Sequence, residues 1–323
     1  MSTSVDQRQA QPPSVLGERR PLGDRGFQIL ALSAGLLVLV ILVLITVTTA
    51  QQSTDWFTAA GFKGIFSVAF NGDTAFGAMG VLYGTVISSL IGIIIGVPVS
   101  IGIALLLTEV VSRRMAQPIV YVIDLLAVVP SVVWGLWGIL VLAPWLQKIY
   151  TSIGSGVKGL PVLGSLFGPP VSGASFFTAG LILAFMVTPI ITSLSREVIA
   201  TVPAIDREGA YALGATRWEM IRGAVWPHSQ SGIVGSVLLG LGRAMGETIA
   251  AALVIGASPQ ITSHLFAPGY SMPSVIADQF GEASGVFRAA LIGLGVLLFA
   301  LTIIINIIAR SVVARSTRRS RGA

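Results

Sequence analysis

Six long stretches without Asp, Glu, Lys or Arg constrain this chain more than any other feature of its sequence. They are Phe27–Thr54, Thr74–Thr108, Leu125–Gln147, Gly159–Ser195, Thr248–Ala277 and Ala289–Ala309. Bilayer hydrocarbon is about 30 Å thick, and a helix rising about 1.5 Å per residue crosses it with about 20 apolar residues. A helix also satisfies its own backbone hydrogen bonds where no water reaches. Charged residues make up 11% of the chain, less than half of the roughly 25% that a water-facing domain carries. The sequence therefore reads as an all-α integral membrane protein with about six transmembrane helices, near 27–50, 77–107, 118–145, 175–195, 230–257 and 287–309.

The net charge of +6 points to topology rather than to nucleic acid. With the N-terminus in the cytoplasm, the inner segments are 1–26, 108–117, 196–229 and 310–323, and they hold fifteen Lys and Arg residues. The outer segments hold four, namely Lys63, Lys148, Lys158 and Arg288, while Arg243 lies inside a span. That asymmetry follows the positive-inside rule and places both termini of a multi-pass protein in the cytoplasm. The basic tails then lie beside anionic membrane lipid. The first apolar run is too long for a signal-peptide core and reads as a retained helix.

The domain division is a polar tail over 1–26, a transmembrane domain over 27–310 and a basic tail over 311–323. Outer loop 51–76, with Trp56 and Phe57, suits an interfacial helix. Outer loop 146–174 is rich in Gly and Pro and reads equally as a partner surface or as a connector. Gly92/Gly96 and Gly242/Gly246 have the small-xxx-small spacing that lets helix backbones approach. Pro98, Pro130 and Pro189 are expected to bend or interrupt their spans.

Missing chemistry narrows the function. There is no cysteine, hence no thiolate metal site or nucleophile. Each of Lys63, Lys148 and Lys158 lacks the preceding Gly that ends a phosphate-cradling P-loop. No catalytic set is legible, and His228 and His264 fall on opposite sides of the membrane in this topology. An enzyme is disfavoured.

The most informative inner segment is 201–222, within the loop 196–229. Thr201 suits an N-cap, Pro203 a first turn, and Asp206 and Glu208 the positive end of a helix dipole. Gly214 suits a turn at the C-terminal end. Trp218, Met220 and Ile221 then fall among charges in a second amphipathic stretch. Such a segment either lies on lipid or docks a soluble partner.

Glu208-Gly209-Ala210, then Gly214, then Ala224-Val225-Trp226-Pro227 resemble the loop of bacterial ABC-importer permeases, which runs Glu-Ala-Ala, three residues, Gly, nine residues, Ile-x-Leu-Pro. Gly209, Ala224 and Trp226 depart from that pattern. The resemblance implies an ABC-importer permease fold whose cytoplasmic coupling helix fits an ATPase subunit. Tyr83-Gly84-Thr85, Val129-Pro130-Ser131-Val132-Val133-Trp134-Gly135-Leu136 and Gly242-Arg243-Ala244-Met245-Gly246-Glu247-Thr248 further resemble the phosphate branch, the PstC-type permeases.

A charge at the bilayer centre costs about 3 kcal/mol on insertion scales, so Arg243 is expected to face a bundle interior or water. Glu247 follows one helical turn later, on the same face of a continuous helix. The pair reads as an ion pair holding helices in register, as an anion contact in a permeation path, or as both. The resemblance implies the path role for Arg243 and Glu247, and a coupling role for Glu208, Gly209, Ala210 and Gly214. It also implies the partners: a PstA-like second permease subunit, a dimer of ATPase subunits carrying ATP and Mg, and an extracytoplasmic phosphate-binding protein. No cofactor is expected on this chain. A permease for another oxyanion, such as sulfate or molybdate, and a membrane docking protein without transport are the alternatives.

Overall fold

The computed structural model describes residues 22–70 and 75–321, and the chain divides into two units between Thr48 and Thr49. The first unit is formed by most of α1 (Leu22–Gln52). Its apolar residues are not confined to one face, and Phe27 through Val43 are exposed throughout. A helix apolar on all sides is solvated by lipid rather than by water. α1 takes in the last residues assigned from sequence to the polar tail, and residues 1–21 of that tail lie outside the described residues.

The second unit contains α2 (Thr54–Ile65), α3 (Met79–Leu105), α4 (Arg113–Val128), α5 (Ser131–Trp137), α6 (Ala143–Gly156) and α7 (Pro161–Leu166). It continues with α8 (Phe176–Ala200), α9 (Ala204–Ala212), α10 (Arg217–Met220), α11 (Trp226–Met245), α12 (Ile249–Ile255), α13 (Met272–Gln279) and α14 (Gly285–Arg321). Short π-helical turns prolong α3 (Leu106–Val110), join α5 to α6 (Gly138–Leu142) and join α10 to α11 (Ile221–Val225).

Five helical stretches are long and apolar enough to cross a membrane: Arg25–Gly61, Met79–Val110, Ser131–Gly156, Phe176–Ala200 and Gly285–Ser311. The sixth expected span is a broken one, Arg217–Met245 followed by Ile249–Ile255 at an angle of 63°. Span boundaries also depart from the sequence reading elsewhere in the chain. The span placed at 118–145 is interrupted at Pro130, which has no N–H to give and caps the start of α5. Its membrane-length part therefore begins at Ser131. α14 runs on to Arg321, through the segment assigned to the basic tail.

α3 and α8 form the centre of the bundle, and glycines let them touch. A Cβ at Gly180 would lie 2.5 Å from Ile91 Cβ, one at Gly92 3.0 Å from Leu183 Cβ, and one at Gly96 2.9 Å from Val187 Cγ2. The Gly92/Gly96 pair is thus the packing face that its spacing predicts. Gly242 is different, because nothing lies within 4 Å of a Cβ built there.

Two apolar clusters sit at the two ends of α3. The larger gathers Trp56, Val81, Tyr150, Phe176, Phe266 and Leu291, with Tyr150 stacked on Phe266 at 3.9 Å. α2 belongs to it: Trp56 is fully buried, donates Nε1–H to Phe76 O at 3.0 Å and fills the space over Gly293. The expected interfacial helix is therefore fastened to α14 through its tryptophan. The smaller cluster joins Ala104, Ile199, Val202, Met220, Ile221, Val225 and Ile233 at the end that carries α9 and α10.

Candidate functional site: a docking loop and a broken span

α9 starts at Ala204, with Pro203 as its N-cap and no side-chain cap bond. Thr201, expected to cap it, instead donates its hydroxyl back to Val198 O at 2.7 Å and closes α8. The other end is as expected. Gly214 has φ +81°, a conformation that costs residues with a Cβ about 1–2 kcal/mol. There the Gly214 N–H reaches Tyr211 O at 2.9 Å and the Ala215 N–H reaches Ala210 O at 3.1 Å, the two bonds of a Schellman motif.

α10 is opened by a capping box. The Thr216 hydroxyl accepts from the Glu219 N–H, while Glu219 Oε2 accepts from the Thr216 N–H at 2.8 Å. Its amphipathic stretch divides into a buried and an exposed part. Met220 and Ile221 are buried in the smaller cluster, whereas Trp218 is 67% exposed. Leu213 is 90% exposed and Ile205 75% exposed, and Glu208 and Gly209 are exposed on α9 between them. Large apolar side chains held outward by an anchored loop mark a contact surface, for another protein or for lipid. Gly209, where the family pattern has Ala, meets nothing within 4 Å of a built Cβ, so packing does not distinguish the two residues there.

Sequence inspection missed what anchors α9. Arg207 Nη2 donates to Glu109 Oε1 and to Ile199 O, both at 2.9 Å, and Nη1 donates to Val202 O. One guanidinium thereby ties α9 to the end of α3 and satisfies carbonyls at the C-terminus of α8. In sequence the nearest cations to Glu109 are Arg113 and Arg114. Its actual partner is 98 residues away, and no local pattern reveals such a pair.

The broken span carries the charges singled out in the sequence. α11 ends at Met245, Gly246 caps it, and α12 starts at Ile249 after a 63° bend. Arg243 and Glu247 therefore do not share a face of one continuous helix, and among the described residues no ion pair joins them. Arg243 occupies the last turn of α11, where the negative end of the helix dipole favours a cation. Glu247 precedes α12, where the positive end favours an anion. Glu247 Oε1 accepts from the Ala250 N–H at 3.2 Å, so its carboxylate caps the second half of the span. The break supplies each charge with its own helix end, which is why neither needs the other.

Arg243 is exposed and lines a groove of about 750 Å³ between α8, α11 and α14. Gly242 opens onto the same groove. Of the small-xxx-small pair expected at Gly242/Gly246, Gly242 is thus a cavity wall and Gly246 the cap of α11, and neither meets another helix within this chain.

The other motifs pack around this broken span. A Cβ at Gly84 would lie 2.1 Å from Tyr270 O, and Thr85 Oγ1 accepts from the Met272 N–H at 2.9 Å. Both residues seat the chain that follows α12. Gly135 allows α5 to approach α12 at Ala250, and Trp134 stacks on Phe185 with ring centroids 6.0 Å apart.

A helical membrane bundle with a short-helix loop ahead of a broken, charge-bearing span has the architecture of an ABC-importer permease. The chain belongs to the family of binding-protein-dependent transport system inner membrane components, whose pattern matches residues 89–319. It is 41% identical to the phosphate transport system permease protein PstC of Mesorhizobium japonicum, over 94% of this chain and 93% of the relative. To the PstC protein of Xylella fastidiosa it is 38% identical, over 99% of both chains. Among solved structures, a chain of a bacterial alginate ABC transporter in complex with its periplasmic protein aligns at a TM-score of 0.59. That alignment covers 92% of this chain and 98% of the other at 18% identity, and it speaks for the fold alone.

Proposed function

We propose that the chain is a membrane-spanning permease subunit of an ATP-driven importer of inorganic phosphate, with Arg243 as an anion contact in the path. The observation that carries this reading is the near-full-length similarity to PstC proteins, coupled to an exposed guanidinium in a groove at a break in a span. A guanidinium suits the paired oxygens of phosphate. Glu247, bonded to the start of α12, keeps that half-helix in place beside it.

The path is shared with a second, PstA-like permease subunit. ATP and Mg are bound by a dimer of separate ATPase subunits, and a phosphate-binding protein delivers the anion from outside. The exposed α9–α10 surface, with Glu208, Gly209, Ala210 and Gly214, docks an ATPase subunit. The fifteen-to-four distribution of cationic residues supports both termini and that loop in the cytoplasm, and a six-pass reading of the spans agrees with termini on one side.

The test is phosphate uptake by the reconstituted complex carrying Arg243→Ala, with assembly checked in parallel and sulfate and molybdate as competitors. Loss of uptake in an intact complex supports the path. Undiminished uptake by Arg243→Ala, or competition by sulfate as strong as by phosphate, would sink it.

A further inference from the structure

The groove that holds Arg243 is longer than a single anion. Its wall on α11 extends from Ser231 to Arg243, about 18 Å along the helix axis. α14 forms the facing wall with Asn306 and Arg310, which are one turn apart on one helix face. The remaining lining is apolar or glycine, and includes Ile190, Val234, Leu238 and Leu239. Among the described residues no Asp or Glu lines this groove. Two guanidiniums thus share one cavity, and among the described residues neither is in an ion pair.

The directions of the two helices place these groups in order. α11 starts beside the smaller apolar cluster, at the docking-loop end, and reaches Arg243 in its last turn. α14 starts at the other end, where Trp56 packs over Gly293, and reaches Arg310 roughly 38 Å further on. Ser231 and Arg310 therefore lie on the docking-loop side of Arg243. An anion leaving Arg243 in that direction passes apolar wall, where shedding water is costly, before it meets the next polar groups.

We propose that Arg310, with Asn306 and Ser231, forms a second anion station in the groove, so that an oxyanion is held at two successive positions. This rests on the reading of Arg243 as an anion contact. The chemistry recognised is that of a phosphate group, which comes either as the free inorganic ion or on an anionic lipid headgroup.

The chain has no cysteine, which makes a direct test available. Asn306→Cys, with Ser231→Cys as a second reporter should the first fail to assemble, is introduced into the full complex in nanodiscs. Reaction with an anionic and with a cationic methanethiosulfonate is followed by the mass of this chain, each rate divided by that on a free thiol. Discs of phosphatidylcholine alone are compared with discs containing phosphatidylglycerol, with and without inorganic phosphate. The expected result is about a tenfold preference for the anionic reagent, slowing by inorganic phosphate, and loss of both in Arg310→Gln but not in Arg310→Lys. Equal rates without phosphate protection would overturn the station. Protection by phosphatidylglycerol alone would also overturn it and assign Arg310 to lipid. If Arg243→Ala abolishes uptake while the reporters show no preference, the station falls and the Arg243 reading stands.

Discussion

Arg207 and Glu109 meet at 2.9 Å across 98 residues of sequence, with the Glu109 side chain only 5% exposed. Removing one partner leaves a buried charge unpaired, which costs on the order of 3 kcal/mol. Arg207→Gln is therefore expected to lower the thermal stability of the complex clearly, while Arg207→Gln with Glu109→Gln recovers part of the loss. Recovery is incomplete because the carbonyls of Ile199 and Val202 also lose the guanidinium. Equal stability of Arg207→Gln and the parent in thermal unfolding would contradict this account.

Two glycines of the same composition class should respond oppositely to alanine. At Gly180 the added methyl collides with Ile91 and with the α3 backbone near Ser88. That overpacking is expected to cost about 1–3 kcal/mol and to lower the yield of folded protein. Gly242→Ala meets open space and should fold normally. If the two variants behave alike in expression and thermal stability, the α3–α8 contact is not as close as described.

Glu247→Ala should loosen the start of α12, since the Ala250 amide loses its acceptor. The cost expected for a lost cap is about 1 kcal/mol. Glu247→Gln keeps an acceptor oxygen and should hold the half-helix. Hydrogen exchange at the α12 amides distinguishes the two, and unchanged exchange in Glu247→Ala would remove the capping role.

The proposed docking surface can be probed without disturbing the fold. Leu213→Asp and Trp218→Asp alter side chains that are already exposed, so the permease should insert and fold. Affinity for the ATPase subunits is expected to fall by about 2 kcal/mol, roughly thirtyfold, if these are central contacts. Glu208→Lys is expected to uncouple ATP hydrolysis from uptake. Full affinity in both aspartate variants, measured on purified subunits, would move the docking surface elsewhere.

Tyr270 sets a pH expectation. Burial, and then the hydrogen bond and negative charge of Asp278, push its phenol above the ordinary range; the hydroxyl donates to Asp278 Oδ2 at 2.9 Å. A raised folded-state pKa means that this stabilisation is fully present below the unfolded value of about 10. It is lost only as pH rises through the folded value. Difference ultraviolet titration of the parent against Tyr270→Phe should show no extra phenolate near pH 10. A normal phenolate signal there would show the bond to be absent.

Residue order alone settles what local chemistry controls. Charge-free runs are read directly by hydrocarbon, so the membrane helices are legible without a partner. Gly214 must turn the chain because only a residue without Cβ takes φ +81° freely, whereas the spacing shared by Gly92/Gly96 and Gly242/Gly246 does not say that only the first pair meets a neighbouring helix. Tertiary structure decided what depends on distance and on breaks in regularity. It paired Glu109 with Arg207, seated Trp56 over Gly293 and brought Arg310 to the groove of Arg243. It also placed a 63° bend between Arg243 and Glu247, where helical spacing had set them on one face. Periodicity describes an unbroken helix and carries no record of where the helix ends, and that is why the sequence set Arg243 and Glu247 on one face while the structure gives each its own half of the span.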